Sequence, residues 1–255
     1  MARFEGKVAV VLGASDPASM GGVIARHLRE EGAEVVVAAR REDRVRALAD
    51  AIGAEAATCD ITREDDVSAL AAFALDRFGR LDIAVNCAGE AIMGAIADTD
   101  EKTLRRAADI HFVGPFFFIK HMASKMGPGG SIVTLSSITA TLTLHNHAAY
   151  MGAKAGTDHL VRIAALEYGP QGIKVNSVSP GFTESPMTAP FLQVPGLKEK
   201  FEREIPLGRI NTTADVAAAV LWVSSDEAYL TGQNLHPTGG HTLRRLPTPD
   251  ELRPE

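Results

Sequence analysis

Three residues in the middle of the chain have types and spacing that could do chemistry. Tyr150 and Lys154, in Tyr150-Met-Gly-Ala-Lys154, place a phenol and an ammonium four residues apart, hence on one helical face where both can converge on one ligand. Ser137 lies thirteen residues earlier, at the end of the strand-like run Ser131-Ile-Val-Thr-Leu-Ser-Ser137, where its hydroxyl would emerge at the ligand edge of a sheet.

A second group of residues could hold phosphate. Gly13 follows the first strand-like run, and residues 13–22 read Gly13-Ala-Ser15-Asp16-Pro17-Ala-Ser19-Met20-Gly21-Gly22. In such a strand-to-helix turn, backbone N–H groups point at a pyrophosphate. The glycine spacing is stretched: Ser19 stands where a middle glycine is usual, with a hydroxyl that could donate to phosphate, while Gly21 lets the helix pack closely. Asp16-Pro17 is a turn signal that sends the carboxylate to solvent or makes it cap the loop. After the second strand comes Val37-Ala38-Ala39-Arg40-Arg41, without the acidic residue that would bind an NAD ribose diol. Arg40 and Arg41 instead offer a planar, charge-assisted fork to a 2′-phosphate, so NADP(H) is expected ahead of NAD(H).

These residues need a scaffold. Short Val-, Ile- and Ala-rich runs at Val8 to Leu12, Glu34 to Ala38, Ala56 to Cys59, Ile83 to Asn86, Ser131 to Leu135 and Lys174 to Ser179 alternate with helical patterns. Ile24 and Leu28 mark one helix; Val67, Leu70, Phe73 and Leu75 mark another. Nearly all-apolar strands between helices predict an α/β protein built on a single Rossmann-type, doubly wound parallel sheet in three α/β/α layers. No repeat or linker divides the 255 residues, so 1–242 form one domain. Residues 243–255 form a polar, proline-containing C-terminal tail, either disordered or laid across a neighbouring subunit.

The formal charge of −6 gives no field for nucleic acid or anionic lipid, leaving a small molecule as the expected partner. The most apolar stretch, Phe112 to Ile119, falls far short of the ~20 residues that span a bilayer, and no signal core is present, so a cytoplasmic location is expected. Cys59 and Cys87 lack CxxC spacing and read as reduced structural thiols. His145 and His147, a His-x-His pair without a neighbouring carboxylate or thiolate, read as substrate-side hydrogen-bonding groups or a wet loop, with no metal expected. Segment 183–204 carries three prolines and reads as a lid, with Phe182, Met187 and Phe191 giving it an apolar face.

With Ser137, Tyr150 and Lys154 in this order, the chain from about residue 5 to 242 resembles the short-chain dehydrogenase/reductase family, in its Tyr-x-x-x-Lys ketoreductase and alcohol dehydrogenase branch. Cys59-Asp60-Ile61-Thr62, Asn86-Cys87-Ala88-Gly89, Asn176-Ser-Val-Ser-Pro180-Gly181 and Ile205-Pro-Leu-Gly-Arg209 carry the same resemblance. It implies that Asp60 and Ile61 border the adenine, Asn86, Ala88 and Gly89 the ribose side, and Pro180, Gly181, Thr183 and Ser185 the nicotinamide. It further implies that Tyr150 transfers the proton, Ser137 polarises the substrate oxygen, and Lys154 binds the nicotinamide ribose while acidifying Tyr150. A unit charge ~4 Å from a phenolate is worth ~4 kcal/mol at a dielectric of ~20, or ~3 pKa units, enough to bring a phenol from ~10 toward ~7.

His111 stands where the family usually has Asn, in Asp109-Ile-His111-Phe-Val-Gly114-Pro115. The family uses that residue's carbonyl to hold a water joining the lysine to solvent. Pro115 lacks the N–H that would bond the carbonyl four residues earlier, so the His111 carbonyl is expected to stay available to water at a helix kink. The implied assembly is a homotetramer or homodimer through helices near 102–125 and 150–168. Acyl thioesters, cyclic alcohols and sugars all remain open as substrates. Two rivals stand: an enoyl-thioester reductase, suggested by the stretched glycine loop but lacking that branch's lysine at Thr157, and a catalytically silent NADP-binding sensor or structural protein.

Overall fold

The computed structural model describes residues 2–252. In chain order the elements of the first half are β1 (Val8–Leu12), α1 (Met20–Glu30), β2 (Glu34–Ala39), α2 (Glu42–Ile52), β3 (Glu55–Thr58), α3 (Glu64–Phe78) and β4 (Ile83–Asn86). The second half adds α4 (Glu101–Ala108), α5 (Gly114–Ala123), β5 (Ser131–Leu135), α6 (Ala148–Tyr168) and β6 (Lys174–Val178). Beyond these come β7 (Thr183–Glu184), α7 (Ala189–Leu192), α8 (Leu197–Glu202), β8 (Asn211–Thr212), α9 (Thr213–Ser224) and β9 (Asn234–Leu235).

Seven strands form one parallel sheet in the order β3-β2-β1-β4-β5-β6-β9. The six expected strands are all present, with ends shifted by one residue at most; the two-residue β9 is too short to show a pattern. Alternation along β1 sends Ala9 and Val11 to one face, against Ile24 and Leu28 of α1 and Val216 and Val220 of α9. Val10 and Leu12 go to the other face, against Leu70 of α3, Phe118 and Met122 of α5 and Val161 of α6. Both faces are therefore dry, and the strands' carboxyl ends are the sheet's accessible edge. Strand order reverses between β1 and β4, which opens a crevice there.

Three features differ from the sequence reading. Over its described residues, to Leu252, the tail packs on its own chain: Leu246 is buried and Leu252 half-buried in an apolar cluster with Leu197, Phe201, Ile205 and Ile210, while 253–255 lie outside the described residues. The lid is more ordered than its prolines suggest, since β7 pairs with β8 and Phe182 stacks on Phe201 with centroids 4.3 Å apart. The helix ladder does break before Pro115, yet as a π-helical turn over Asp109–Val113 in which the Gly114 N–H bonds the Asp109 carbonyl, and α5 continues from it.

A capping box fixes the segment behind the lid. Thr212 Oγ1 accepts from the Asp215 N–H at 3.2 Å, the Asp215 carboxylate accepts from the Thr212 N–H at 2.8 Å, and Arg209 pairs with Asp215 at 2.6 Å. The Arg209 guanidinium, ahead of the Thr212 bonds, holds the Asp215 carboxyl well below the usual carboxylate range. Its folded pKa lies under its unfolded value of ~3.9, so its contribution is present at neutral pH and lost as acid carries the pH down through the folded value. Asp215→Ala should lose about 0.5–2 kcal/mol. At roughly 2–4 °C per kcal/mol for a chain of this size, calorimetry at pH 7 should show the drop in Tm, and the gap from the parent should shrink below about pH 3.

Candidate active site

At the crevice, the turn after β1 brings the Gly13 loop against the turn after β4. Gly13 has φ +90°, and a Cβ there would lie 2.5 Å from the Ala88 nitrogen. A Cβ on Gly21 would lie 2.6 Å from the Gly13 carbonyl oxygen, so both positions need glycine. Ser19 is the N-cap of α1: its Oγ accepts from the Gly22 N–H at 3.1 Å and donates to the Asp16 carbonyl at 2.7 Å. The hydroxyl proton expected to meet phosphate is therefore used inside the loop, because the first turn of a helix needs an acceptor for its orphan donors. Asp16 caps the loop through the Ala18 N–H at 2.9 Å, the second of its two expected roles.

A cavity of roughly 520 Å³ opens over this turn. Of the residues expected at a cofactor, Gly13, Ser15, Ser19, Met20, Gly21, Arg40, Arg41, Asp60, Ile61, Ala88, Gly89 and Ser185 line it. Arg41 donates to Ser15 Oγ at 3.3 Å, so both arginines and a hydroxyl gather at one end of the groove. Asn86 is not on the wall. It is buried with its Oδ1 accepting the Ala88 N–H at 3.0 Å, so its side chain shapes the turn that borders the groove.

A second cavity, of roughly 250 Å³, adjoins the first and shares Met20, Ser185 and Met187 with it. Ser137, Tyr150, Pro180, Gly181, Thr183, Phe182 and His147 line it. The segments after β5 and β6 run on side by side, with the Ser136 N–H bonding the Val178 carbonyl at 2.8 Å and the Ile138 N–H bonding the Pro180 carbonyl at 2.9 Å. Ser137 and Pro180 are therefore carried to the same edge. His145 is not part of this wall: it is exposed, and only its carbonyl is used, accepting from His147 Nδ1 at 2.7 Å.

On α6 the residues Lys154, Thr157, Leu160, Val161, Ala164 and Ala165 form the buried stripe at helical spacing, and this stripe carries Lys154 beneath the sheet edge. Its Nζ donates to the Leu135 carbonyl at 2.6 Å and sits 5.8 Å from the Tyr150 ring centroid. Burial pulls the ammonium's pKa down to about 8, against the pull of Asp158. Burial also pushes the Tyr150 phenol above its usual range, while a hydrogen bond with Ser137 draws it part of the way back. In both groups burial is the leading cause of the shift, which favours the neutral phenol and weakens the ammonium.

His111 is fully buried beside the pair, its ring edge-on to Tyr150 with centroids 4.8 Å apart. Nε2 lies 3.0 Å from the Glu90 carbonyl, which can only accept, so the proton sits on Nε2 and Nδ1 is bare and without a partner. The carbonyl expected to hold a water accepts from the Thr157 hydroxyl, which donates to it from the next turn of α6 beyond Lys154 and occupies one of its two lone pairs. Thr157 is the residue the sequence reading missed here; its signal was its place three residues after Lys154 on the same face. Glu90, paired to Arg106 at the edge of the first cavity, was missed as well, although it follows Gly89 directly.

Cys59 and Cys87 are free thiols, each pushed by burial up to about 12. Among the described residues, no three His, Cys, Asp or Glu side chains gather where they could hold a metal, and no helix is long and apolar enough to cross a membrane.

A family profile described as "Enoyl-(Acyl carrier protein) reductase" matches residues 13–242. The chain is 39% identical over 253 residues to trans-4-hydroxycyclohexanecarboxylate dehydrogenase of Sinomonas cyclohexanicum, covering 94% of both proteins. It is 36% identical to 3beta-hydroxysteroid dehydrogenase 1 of Eggerthella lenta, covering 94% of this chain and 95% of that one. Among solved structures, a short-chain type dehydrogenase/reductase from Mycobacterium ulcerans superposes with a TM-score of 0.90 at 31% identity, over 96% of this chain and 92% of the other.

Burial, and secondarily the charge of Lys154, pull the His111 pKa to about 3. The imidazole resonances should therefore stay in the neutral Nε2–H form from pH 8 to pH 5 in an NMR titration. Since the unfolded His takes up its proton near pH ~6.5 and the folded one does not, this residue lowers stability progressively as pH falls from ~6.5 toward its folded value. His111→Asn should flatten that part of the stability profile, measured by urea unfolding.

Proposed function

This chain belongs to the short-chain dehydrogenase/reductase family, and from that premise we propose that it interconverts a secondary alcohol and a ketone with NADP(H), Tyr150 handing over the proton. As a member it is an NAD(P)-dependent oxidoreductase acting on CH–OH groups of small alcohol or carbonyl substrates. The observation that carries the finer reading is the joining of two cavities at Met20, Ser185 and Met187: one is lined by the glycine turn and both arginines, the other by Ser137 and Tyr150.

The residues present fit a dinucleotide. Gly13 and Gly21 let the turns after β1 and β4 pack closely enough to form the groove, the N-terminus of α1 offers backbone N–H groups to a pyrophosphate, and Arg40 and Arg41 suit a 2′-phosphate. When bound, the nicotinamide supplies or accepts the hydride. The chain's own part is proton transfer and orientation. Ser137 offers its hydroxyl to the substrate oxygen, and Tyr150, held protonated by burial, is in the form that donates to a ketone oxygen. Lys154, anchored on Leu135, keeps a positive charge behind the phenol and toward the ribose side. His111 is a positioning residue: its ring supports the edge of Tyr150, and its carbonyl ties the π turn to Thr157.

The family profile's description favours a second reading, reduction of an enoyl thioester. Thr157 stands where that branch carries its lysine, and the four-residue Tyr150–Lys154 spacing suits the carbonyl reaction instead. Acetoacetyl thioester should therefore be reduced in preference to crotonyl thioester with NADPH; the opposite ranking would establish the second reading.

Tyr150→Phe should lower turnover by about 10²–10⁴-fold while NADPH affinity, read by fluorescence titration, stays within about threefold. Full activity in that variant would sink the mechanism. Arg40→Ala and Arg41→Ala should each raise KM for NADPH by about tenfold or more and leave KM for NADH nearly unchanged, since each removes hydrogen bonds to a charged group worth about 1.5–3 kcal/mol. Equal effects on the two cofactors would remove the preference for NADP(H).

A further inference from the structure

The nature of the substrate can be read from the walls of the second cavity. We infer, resting on the oxidoreductase reading above, that the C-terminal segment from Arg244 to Leu252 is the outer wall of this cavity, and that the cavity takes a compact, uncharged alcohol or ketone and discriminates against anionic and steroid-sized ones.

The segment is built into the site. Leu246 and Leu252 both line the cavity, facing Phe182, Phe191 and Phe201 across it. They are held there by bonds that lie outside the cavity. His241 Nε2 is 3.0 Å from the Arg245 carbonyl, and Arg244 donates to the Arg203 carbonyl at 2.8 Å. Arg245 pairs with Glu204 at 3.1 Å and with Glu251 at 2.7 Å, while the Thr248 N–H bonds Glu251 at 2.7 Å and closes a turn ahead of Leu252. The charges of the segment are thus paired with one another and with α8's flank, and its two leucines are turned inward.

The polarity of the cavity excludes charge. Among the described residues, no Lys, Arg, Asp or Glu lines it. Several of its hydroxyls are already bonded: Thr139 to Ser137 at 2.9 Å, Thr183 to the Gly181 carbonyl at 2.9 Å, and Thr188 to the Thr183 carbonyl. His147 Nδ1 donates to the His145 carbonyl at 2.7 Å, so that edge of its ring is tied to its own loop. An anion entering here would lose its water with no charged side chain on the wall to pair with, the Lys154 ammonium lying behind the Tyr150 ring and bonded to Leu135, a larger penalty than a hydroxyl or ketone meets. Size adds to this, since a volume of roughly 250 Å³ falls under the ~300–1,000 Å³ of sites for drug-sized ligands.

The experiment uses the full chain with saturating dinucleotide and three secondary alcohols: cyclohexanol, trans-4-hydroxycyclohexanecarboxylate and a 3-hydroxysteroid. Wild-type kcat/KM should be at least about tenfold higher for cyclohexanol than for either of the others, an order set by desolvation and fit. Leu252→Ala should raise kcat/KM for the steroid relative to cyclohexanol by about fivefold or more, and Leu252→Trp should depress both, each with Tm near the parent because Leu252 is only half-buried. A relative gain for a larger substrate is something a merely structural role would not produce. Equal or better use of the carboxylate overturns the charge rule, and an unchanged substrate profile in both Leu252 variants overturns the wall. Calorimetric binding of cyclohexanone to Tyr150→Phe with dinucleotide separates the two layers. If no alcohol or ketone turns over yet the neutral ring binds in preference to the carboxylate, the oxidoreductase reading fails and the cavity's selectivity stands; if binding shows no such preference, the inference fails on its own.

Discussion

The ammonium of Lys154 bonded to the carbonyl of Leu135 is the contact on which the site depends. It takes a charge out of water and fixes it with one short hydrogen bond to the last residue of β5. A buried ammonium is costly, and its lowered pKa shows that cost directly. What keeps it there is the apolar stripe of α6, which cannot leave the sheet without exposing Leu160, Val161 and Ala164. Packing of the helix therefore sets the position of the charge, and Tyr150, one turn earlier on the same helix, takes its place at the cavity from the same constraint.

Around that contact, the polar groups nearest the phenol are neutral. His111 is desolvated and uncharged, the Cys87 thiol near Lys154 stays protonated, and Tyr150 itself holds its proton. The Lys154 ammonium lies beneath the phenol, and the Glu90–Arg106 pair lies at the edge of the first cavity. In a water-poor site, that distribution makes each remaining electrostatic interaction count for more. The replacement of the family's usual Asn by His111 fits within it. A bulkier ring fills the space beside Tyr150, and the π turn is secured by Thr157.

The two joined cavities divide the work of recognition by chemistry. The groove over the glycine turn is rich in backbone N–H groups and guanidinium, suited to phosphate. The inner cavity is walled by aromatic and aliphatic side chains that come from distant parts of the chain, including the lid and the C-terminal segment.

Much of this was legible in the sequence, because it follows from local periodicity. The all-apolar runs gave six strands within a residue of their ends, the Tyr150–Lys154 spacing gave a shared helical face, and Gly13, Gly21, Arg40 and Arg41 came to line one groove by their place after β1 and β2. What only the tertiary structure decided were matters of who stands next to whom across long separations. The bond from Thr157 to His111, the outward turn of His145, the use of the Asn86 amide within its own turn, and the return of Leu246 and Leu252 to the cavity have no periodic signature. The direction of the Tyr150 shift belongs with them: residue spacing fixes that a phenol and an ammonium share a face, whereas the depth at which both are buried decides whether attraction or desolvation prevails.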